Sequence, residues 1–477
     1  MHKSKLIAAL RSLTNKELKW FEQYIGSPFF NKNEKVLQLF GVLKKYHPEY
    51  DEGKVEMEKI FPKIFPKEPL DEQKLRYVMT DLTKLVEDFL AYLEFDKDEV
   101  YKKHLLLNAY DGRNLEKYFS VTLDEVKTLQ KRSPYRDVNY YFNQHLLEDD
   151  SYLHSLGRAQ RAINTSLQEA VDNLDLYYLS SRLRYNCAIL SRQDLLQEKY
   201  NNLFLGEILT FLSKTNLESI PSVSIYYGIT MLYIEFDDET HYKKLKSLLD
   251  EYGNQFPPDE LKDMFTHALT YCSRKLNAGK TNFLGEMLEL YKSMIEKEII
   301  YENGHISPTN FKNIVTLALR SGQVKWTEEF IPAYKNRIIP EFRDSTYAYN
   351  LANLHYFKRE FSKALRLMQT VELDDIYYHL DAKVLLLKTY YELDEAEPFF
   401  SLVDAFTNYL KRNKLISDVQ RGVYLNFVRY AKKLMQVRLG SKFSPAELRI
   451  EMQKLQGIAN LQWLTEKMDE LEKKSLH

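Results

Sequence analysis

Apolar, aromatic and small residues recur along residues 309–410 in groups that keep the same internal spacing. One such group is Leu351, Ala352, His355, Phe361, Ala364, Met368 and Val371. The positions 35 residues later are Leu386, Leu387, Tyr390, Ala396, Phe399, Val403 and Phe406. The positions 37 residues earlier are Ile314, Val315, Ala318, Val324, Thr327, Ile331 and Tyr334. A period of this length is the sequence signature of stacked helical repeats.

Composition and length favour the same interpretation. The chain of 477 residues exceeds the roughly 250–300 residues at which single cores stop growing, so several domains or an extended array are expected. It contains only 15 Gly and 14 Pro, well below average usage of about 7% and 5%. Hairpin-turn signals between alternating apolar residues are absent. We therefore predict an all-α protein.

The central part of the chain resembles the tetratricopeptide-repeat superfamily, best in residues 309–410 and more loosely over about 145–440. Four residues carry the resemblance, namely a small residue on a first helix, an aromatic residue that opens the second helix, a small residue in its middle, and a turn glycine: Ala352, Phe361, Ala364 and Gly322. Leu387 and Phe399 stand where the family has small residues. The resemblance implies a right-handed solenoid of antiparallel helix pairs.

Residues 1–95 are predicted to form an N-terminal helical module. Thr14 and Glu17 have the spacing of a capping box, in which each side chain binds the other residue's backbone N–H at a helix start. A long helix is predicted from about Asp71, because apolar residues follow it at helical spacing. A charged stretch comes next, and residues 96–440 are assigned to the tetratricopeptide-like array.

Residues 441–477 are predicted to be a C-terminal capping helix. Ser444, Pro445 and Glu447 supply an N-cap residue, a proline at the first helical position and a capping-box glutamate. From Leu448 onward, apolar residues continue at helical spacing. Such a helix could cover the apolar face of the last repeat, or it could pair with a copy from another chain. We favour the cap.

Charge, cysteine content and hydropathy argue against several classes of partner and site. Lys and Arg total 67 and Asp and Glu total 68, so the basic excess that is typical of nucleic-acid-binding proteins is missing. The two cysteines, Cys187 and Cys272, have no His or Cys at metal-ligand spacing, which argues against a zinc site or a disulfide framework. No apolar run reaches the roughly 20 residues that a membrane span needs. We expect a cytoplasmic protein that does not act in the membrane.

Enzymatic motifs are not complete anywhere in the sequence. Gly279, Lys280 and Thr281 match the end of a phosphate-binding loop, but Arg274 stands where that motif needs its first glycine. A polar turn between two helices is the better interpretation of this stretch. We expect no enzyme activity, no cofactor and no metal site.

The family resemblance implies a binding groove lined by the first helix of each pair. Tetratricopeptide proteins use Asn, Lys and Arg of those helices to hold extended peptides, including acidic or C-terminal segments. The Asn side chain can both donate and accept hydrogen bonds, and Lys and Arg supply charge-assisted hydrogen bonds. The corresponding residues here are Lys312, Asn313, Thr316, Arg320, Tyr349, Asn350, Asn353, Tyr356, Lys388 and Tyr391. The predicted function is therefore that of a non-catalytic scaffold or adaptor that binds a protein or peptide.

A possible anion patch is predicted near residue 173, on the assumption that the chain turns there between two helices. Such a turn would bring together Arg158, Arg161, Arg182 and Arg184. Guanidinium groups in this arrangement bind phosphate or acidic segments. The more ordinary alternative is that these arginines pair with acids of a neighbouring repeat.

The rival function is a transcriptional regulator whose N-terminal module reads nucleic acid while the repeats act as a sensor. The helix after Asp71 is similar to the recognition-helix region of winged-helix regulators. Residues 1–95, however, carry 16 basic and 15 acidic side chains, and no strand pair follows to form a wing. Phosphate contacts need basic residues clustered on one face, so we regard nucleic acid as the less favoured partner.

Overall fold

The computed structural model describes residues 1–156, 165–196, 199–215, 219–371, 376–441, 444–455 and 457–475. These residues form an all-α protein with 23 α-helices, five short 3-10 helices and no strands. Two isolated bridges are the only β-type pairings in this part of the chain, and they join Glu302 to His305 and Ile306 to Ile338. None of the described helices is both long enough and apolar enough to cross a membrane.

The chain divides into two compact units, Met1–Arg182 and Leu183–His477, and the division falls inside the ninth helix. The helices up to that point are α1 Lys5–Ser12, α2 Asn15–Gly26, α3 Glu34–Leu43, α4 Met57–Ile64, α5 Glu72–Lys97, α6 Glu99–Asp111, α7 Glu116–Arg132, α8 Val138–Leu156 and α9 Ser166–Leu196. The second unit continues with α10 Leu205–Leu212, α11 Pro221–Ile234, α12 Glu239–Tyr252, α13 Pro258–Asn277, α14 Phe283–Glu296, α15 Pro308–Arg320, α16 Val324–Ala333, α17 Arg343–Phe357, α18 Phe361–Met368, α19 Ile376–Glu392, α20 Ala396–Arg412, α21 Asp418–Arg438, α22 Pro445–Gln453 and α23 Leu461–Ser475. The 3-10 helices are Lys44–Tyr46, Glu52–Lys54, Gly253–Gln255, Lys335–Arg337 and Pro340–Phe342.

The first unit opens with one hydrophobic cluster built by α1 to α5, whose buried residues run from Leu6 to Phe89. The predicted capping box forms at the start of α2. The backbone N–H of Glu17 donates to the Thr14 hydroxyl at 3.2 Å, and the backbone N–H of Thr14 donates to a Glu17 carboxylate oxygen at 2.7 Å. The prediction of a long helix after Asp71 is also confirmed, since Asp71 caps α5. The predicted domain boundaries at residues 95 and 440 stay predictions.

Helices of the second unit contact one another in a repeating order. Consecutive helices touch within the pairs α11 and α12, α13 and α14, α15 and α16, α17 and α18, and α19 and α20. The first helix of a pair also contacts a neighbouring first helix, as α15 does with α17 and α17 does with α19. Ala352 of α17 and Ala364 of α18 are fully buried where these two helices meet. Their small side chains let the two helices pack closely.

The same backbone turn ends the first helix of four successive pairs. Two residues beyond α13, α15, α17 and α19, the chain takes a left-handed conformation, with φ of +88° at Gly279, +75° at Gly322, +61° at Arg359 and +59° at Asp394. In each case the next backbone N–H bonds back five residues to a helix carbonyl, at 2.9–3.1 Å. This bond satisfies carbonyls that a helix end otherwise leaves without a partner. The recurrence gives these pairs a common local geometry.

Two local predictions differ from the observed helices. The expected turn at residue 173 is wrong, because α9 runs through it without a break. The C-terminal region contains two helices instead of one, because Gly457 and Asn460 adopt φ of +133° and +51° between α22 and α23.

Candidate binding surface

The side chains predicted to line the groove come from α15, α17 and α19, and the structure brings part of this set together. We call the surface formed by Lys312, Tyr356, Asp381, Lys388 and Glu392 the first-helix surface. At one end of it, the Lys312 ammonium pairs with an Asp381 carboxylate oxygen at 2.5 Å, which joins α15 to α19. The hydroxyl of Tyr424 on α21 donates to the other Asp381 oxygen at 3.0 Å. The cation that we expected to meet a ligand is thus already paired with a carboxylate of the chain itself.

Tyr349 and Asn350 lie beneath this surface and are buried. The Asn350 amide nitrogen donates to the Thr346 carbonyl and to the Tyr378 hydroxyl, both at 2.8 Å. The Tyr349 ring meets the Tyr378 ring with 4.8 Å between centroids, and burial raises the pKa of the Tyr349 phenol. Both residues therefore hold α17 against α19, and in this arrangement neither reaches a ligand.

Glu392 is the centre of a second polar cluster. One carboxylate oxygen, Oε1, accepts from the Tyr356 hydroxyl at 3.2 Å and from the Trp463 indole N–H at 3.4 Å. The Lys467 ammonium lies 2.8 Å from the same oxygen. Tyr356 belongs to α17, whereas Trp463 and Lys467 belong to α23. The C-terminal helix thus lies against residues of two earlier first helices.

Lys388 has an aromatic environment next to this cluster. Its ammonium lies 4.8 Å from the centre of the Tyr356 ring and 5.9 Å from that of Trp463, with the Asn460 side-chain oxygen 3.5 Å away. Burial lowers the pKa of Lys388 to about 8, and the carboxylates of Glu392 and Glu466 oppose this shift only in part. A lysine in such a position keeps its charge at neutral pH, but at an energetic cost.

The remaining predicted groove residues differ in their accessibility. Tyr391 is buried, and the Arg438 guanidinium lies 4.9 Å from the centre of its ring. Asn313 donates to the Tyr291 hydroxyl at 3.3 Å. Thr316 and Asn353 are half-buried, and Arg320 is exposed. Of the predicted set, these last three residues are the ones best placed to meet a ligand.

The predicted anion patch depended on a turn at residue 173, where the structure has a continuous helix. Arg158 and Arg161 lie outside the described residues. Arg182 and Arg184 both belong to α9, which has no turn at residue 173. The Arg184 guanidinium lies 5.6 Å from the centre of the Tyr185 ring.

In α5, the helix proposed as a nucleic-acid reader, two basic residues pair with acidic residues nearby in the sequence. Lys74 lies 2.5 Å from Glu68, and Arg76 lies 3.1 Å from Glu72. These exposed pairs contribute little to stability, but each places a carboxylate beside the cation that a phosphate would have to contact. This arrangement does not favour the nucleic-acid alternative.

One cluster of potential metal ligands occurs among the described residues, at the turn before α12. His241 lies 2.6 Å from a Glu235 carboxylate oxygen and 3.8 Å from one of Asp238. Asp238 also caps α12 by accepting the backbone N–H of Thr240. Both carboxylates are exposed, so an ion pair at a helix start accounts for the cluster.

Sequence reasoning missed the two carboxylates that organise the first-helix surface, Asp381 and Glu392. Helical spacing could have found them, because Asp381 precedes Lys388 by seven residues and Glu392 follows it by four. Residues at these intervals share one face of a helix. The part played by α23 could not have been inferred in this way, since it depends on contacts between distant segments.

Comparison with known proteins identifies no relative, because no family model, curated protein or solved structure matches this chain. The likeness to tetratricopeptide repeats therefore depends on the residues and helix contacts described above.

Proposed function

We propose that the second unit is a right-handed, tetratricopeptide-like array of antiparallel helix pairs, and that the protein is a non-catalytic, cytoplasmic scaffold. Its partner would be a protein or peptide segment bound on the first-helix surface and on the adjoining residues Thr316, Arg320 and Asn353. Support for the array comes from the repeating helix contacts and from the left-handed turn that recurs after four first helices. The step from such an array to binding is an analogy with the family that the chain resembles.

The single observation that carries the binding proposal is the position of α23. This helix is distant in sequence from α17 and α19, yet it presents Trp463 and Lys467 to Glu392 on the first-helix surface. The surface thus has the chemistry to accept an amphipathic helix, with an acceptor for one cation and aromatic rings for one apolar side chain. Helix-in-groove recognition uses this combination of contacts.

Affinity capture with a matched pair of double variants tests the proposal. Arg320→Ala/Asn353→Ala alters the accessible part of the surface, whereas Arg366→Ala/Gln369→Ala removes one guanidinium and one amide from exposed positions at the end of α18. We expect one protein partner to be lost from the first variant and retained by the second. Retention by both would contradict the proposed site, and nuclease-sensitive capture of nucleic acid without a protein would favour the regulator.

A further inference from the structure

The C-terminal helix α23 is joined to the rest of the fold by a short connection that follows α22. Gly457 and Asn460 in this connection have positive φ, which glycine and asparagine tolerate better than other residues. Two hydrogen bonds hold it to α21, from the Asn426 side chain to the Gly457 carbonyl at 2.9 Å and from the Ala459 N–H to the Val423 carbonyl at 3.3 Å. Ile458 and Ala459 of the connection also pack against the hydrophobic cluster that α23 shares with α19 to α22.

The contact between α23 and the first-helix surface has a polar centre. Three donors converge on Glu392 Oε1, and two of them, Trp463 and Lys467, come from α23. Removing an ion pair from water costs about as much as the pair regains, so this contact orients α23 more than it stabilises it.

The apolar part of the contact is formed by Trp463, Leu464 and Met468, which are buried in one cluster with residues of α19 to α22. The Trp463 ring meets the Tyr391 ring edge-on at 5.2 Å and lies 6.0 Å from the Phe427 ring. Trp463 and Lys467 are four residues apart, so they project from the same face of α23. A helix with an aromatic residue and a lysine at this interval reproduces the pattern that the surface accepts.

The contact between Lys388 and the segment that leads into α23 lacks a charged acceptor. The side chain that α23's connection offers to its ammonium is the neutral amide of Asn460, at 3.5 Å. Among the described residues, no carboxylate lies within ion-pair distance of Lys388. A helix that placed Asp or Glu three residues before its tryptophan would give this lysine a charged acceptor.

We propose that the first-helix surface around Glu392 is a helix-binding site, that α23 is its internal occupant, and that the partner is an amphipathic helix with Trp and Lys four residues apart and a carboxylate three residues before the Trp. This inference rests on the proposed function and specifies the chemistry of the partner. An external helix must displace α23, so the intact chain binds it more weakly than a chain whose α23 is loosened.

The test uses a fluorescent peptide with the sequence of residues 457–475 and the full-length chain. In the chain Trp463→Ala/Lys467→Ala, both side chains that α23 directs at Glu392 are removed. We expect this chain to bind the peptide about tenfold more tightly than wild type, because the tethered competitor is weakened. The control chain Gln462→Ala/Lys473→Ala changes exposed residues of α23 and should bind as weakly as wild type.

Two further changes test the assigned chemistry. A peptide carrying Asn460→Asp should bind the loosened chain more tightly than the parent peptide, and this gain should disappear when the chain also carries Lys388→Met. Adding Glu392→Gln to the loosened chain should weaken binding of both peptides. These comparisons separate the proposed contacts from nonspecific binding of an amphipathic peptide.

A loosened chain that stays folded, as judged by circular dichroism, but binds the peptide no better than the control would overturn the inference. If the double variant does not fold, Lys467→Met alone serves in its place, because it keeps most of the apolar area of α23. Loss of a captured partner through Arg320→Ala/Asn353→Ala, together with no gain in peptide binding, would retain the proposed function and reject only the role of α23.

Discussion

Lys467 of α23 and Glu392 of α19 form an ion pair with 2.8 Å between Nζ and Oε1, and their side chains are only 8% and 13% exposed. The two partners are not equivalent. Glu392 also accepts from Tyr356 and Trp463, whereas Lys467 has a second carboxylate, Glu470, at 2.8 Å. Glu392 is therefore the residue through which three helices are linked.

We expect Glu392→Ala to cost more stability than Lys467→Met. Loss of the carboxylate leaves the Tyr356 hydroxyl and the Trp463 N–H without their acceptor and removes the negative charge that pairs with Lys467 and acts on Lys388, for which about 3 kcal/mol is expected. In Lys467→Met, Glu392 keeps two donors and the methionine keeps the packing, so the loss should be under about 1 kcal/mol. Denaturant unfolding measures both free energies, and equal losses would contradict this account of Glu392.

The lowered pKa of Lys388 predicts a dependence of stability on pH. Between about 8 and the ordinary value of 10.5, the unfolded chain binds more protons at this residue than the folded chain does. The contribution of Lys388 to the free energy of unfolding therefore rises with pH across this window. Glu392, Glu466 and Lys467 are the charged groups that act on Lys388.

Comparison with Lys388→Met isolates this effect from the titration of other groups. The variant should be more stable than wild type near pH 7, and its advantage should shrink as the pH approaches 10. Thermal unfolding of both proteins over this pH range measures the difference. Lys473→Met, at an exposed position of α23, should show no such trend. An advantage of Lys388→Met that does not change with pH would refute the assignment.

Asn350 and Asn353 lie on the same helix and should respond differently to alanine. Asn350→Ala removes two hydrogen bonds from a fully buried site, so a loss of about 1–3 kcal/mol in the free energy of unfolding is expected. Asn353 is half-buried, and Asn353→Ala should change stability by no more than about 0.5 kcal/mol. If Asn353→Ala proves as costly as Asn350→Ala, its proposed role as an accessible groove residue would fail.

At the left-handed turns, replacing a glycine by alanine and introducing a glycine should change stability in opposite directions. Gly322 has φ of +75°, and no atom lies within 4 Å of the position that a Cβ would take, so Gly322→Ala should lose about 1 kcal/mol through backbone strain alone. Arg359 occupies the equivalent turn with φ of +61°, and Arg359→Gly should be neutral or stabilising for the same reason. Unfolding midpoints of the two variants measure this, and a stabilising Gly322→Ala would show that the turns are not equivalent.

Local sequence signals predicted an all-α chain but not which helices contact one another. The long helix predicted from about Asp71 is α5, because Asp71 caps it and apolar residues follow at helical spacing. The turn expected at residue 173 had no Gly or Pro to produce it, and the chain continues as α9. Gly457 was a breaker signal within an otherwise apolar helical pattern, and it divides the C-terminal region.

The candidate surface was predictable only in outline. The family resemblance pointed to Tyr356 and Lys388, and the structure places the Lys388 ammonium 4.8 Å from the centre of the Tyr356 ring. Whether a residue of this surface stays accessible depends on how closely successive helices approach, and a single sequence does not encode this in any local pattern. The pairing of Lys312 with Asp381, 69 residues away, and the burial of Asn350 are both results of this tertiary arrangement.

Photo-crosslinking from position 353 tests whether a partner protein binds at the first-helix surface and its adjoining residues. A photoreactive amino acid replaces Asn353 in one chain and Arg366, at an exposed position of α18, in another, and each chain is irradiated in lysate of the source cell. We expect one protein adduct at position 353 that Arg320→Ala reduces, and no such adduct at position 366. Equal adducts at both positions, or an adduct at position 366 alone, would contradict this expectation.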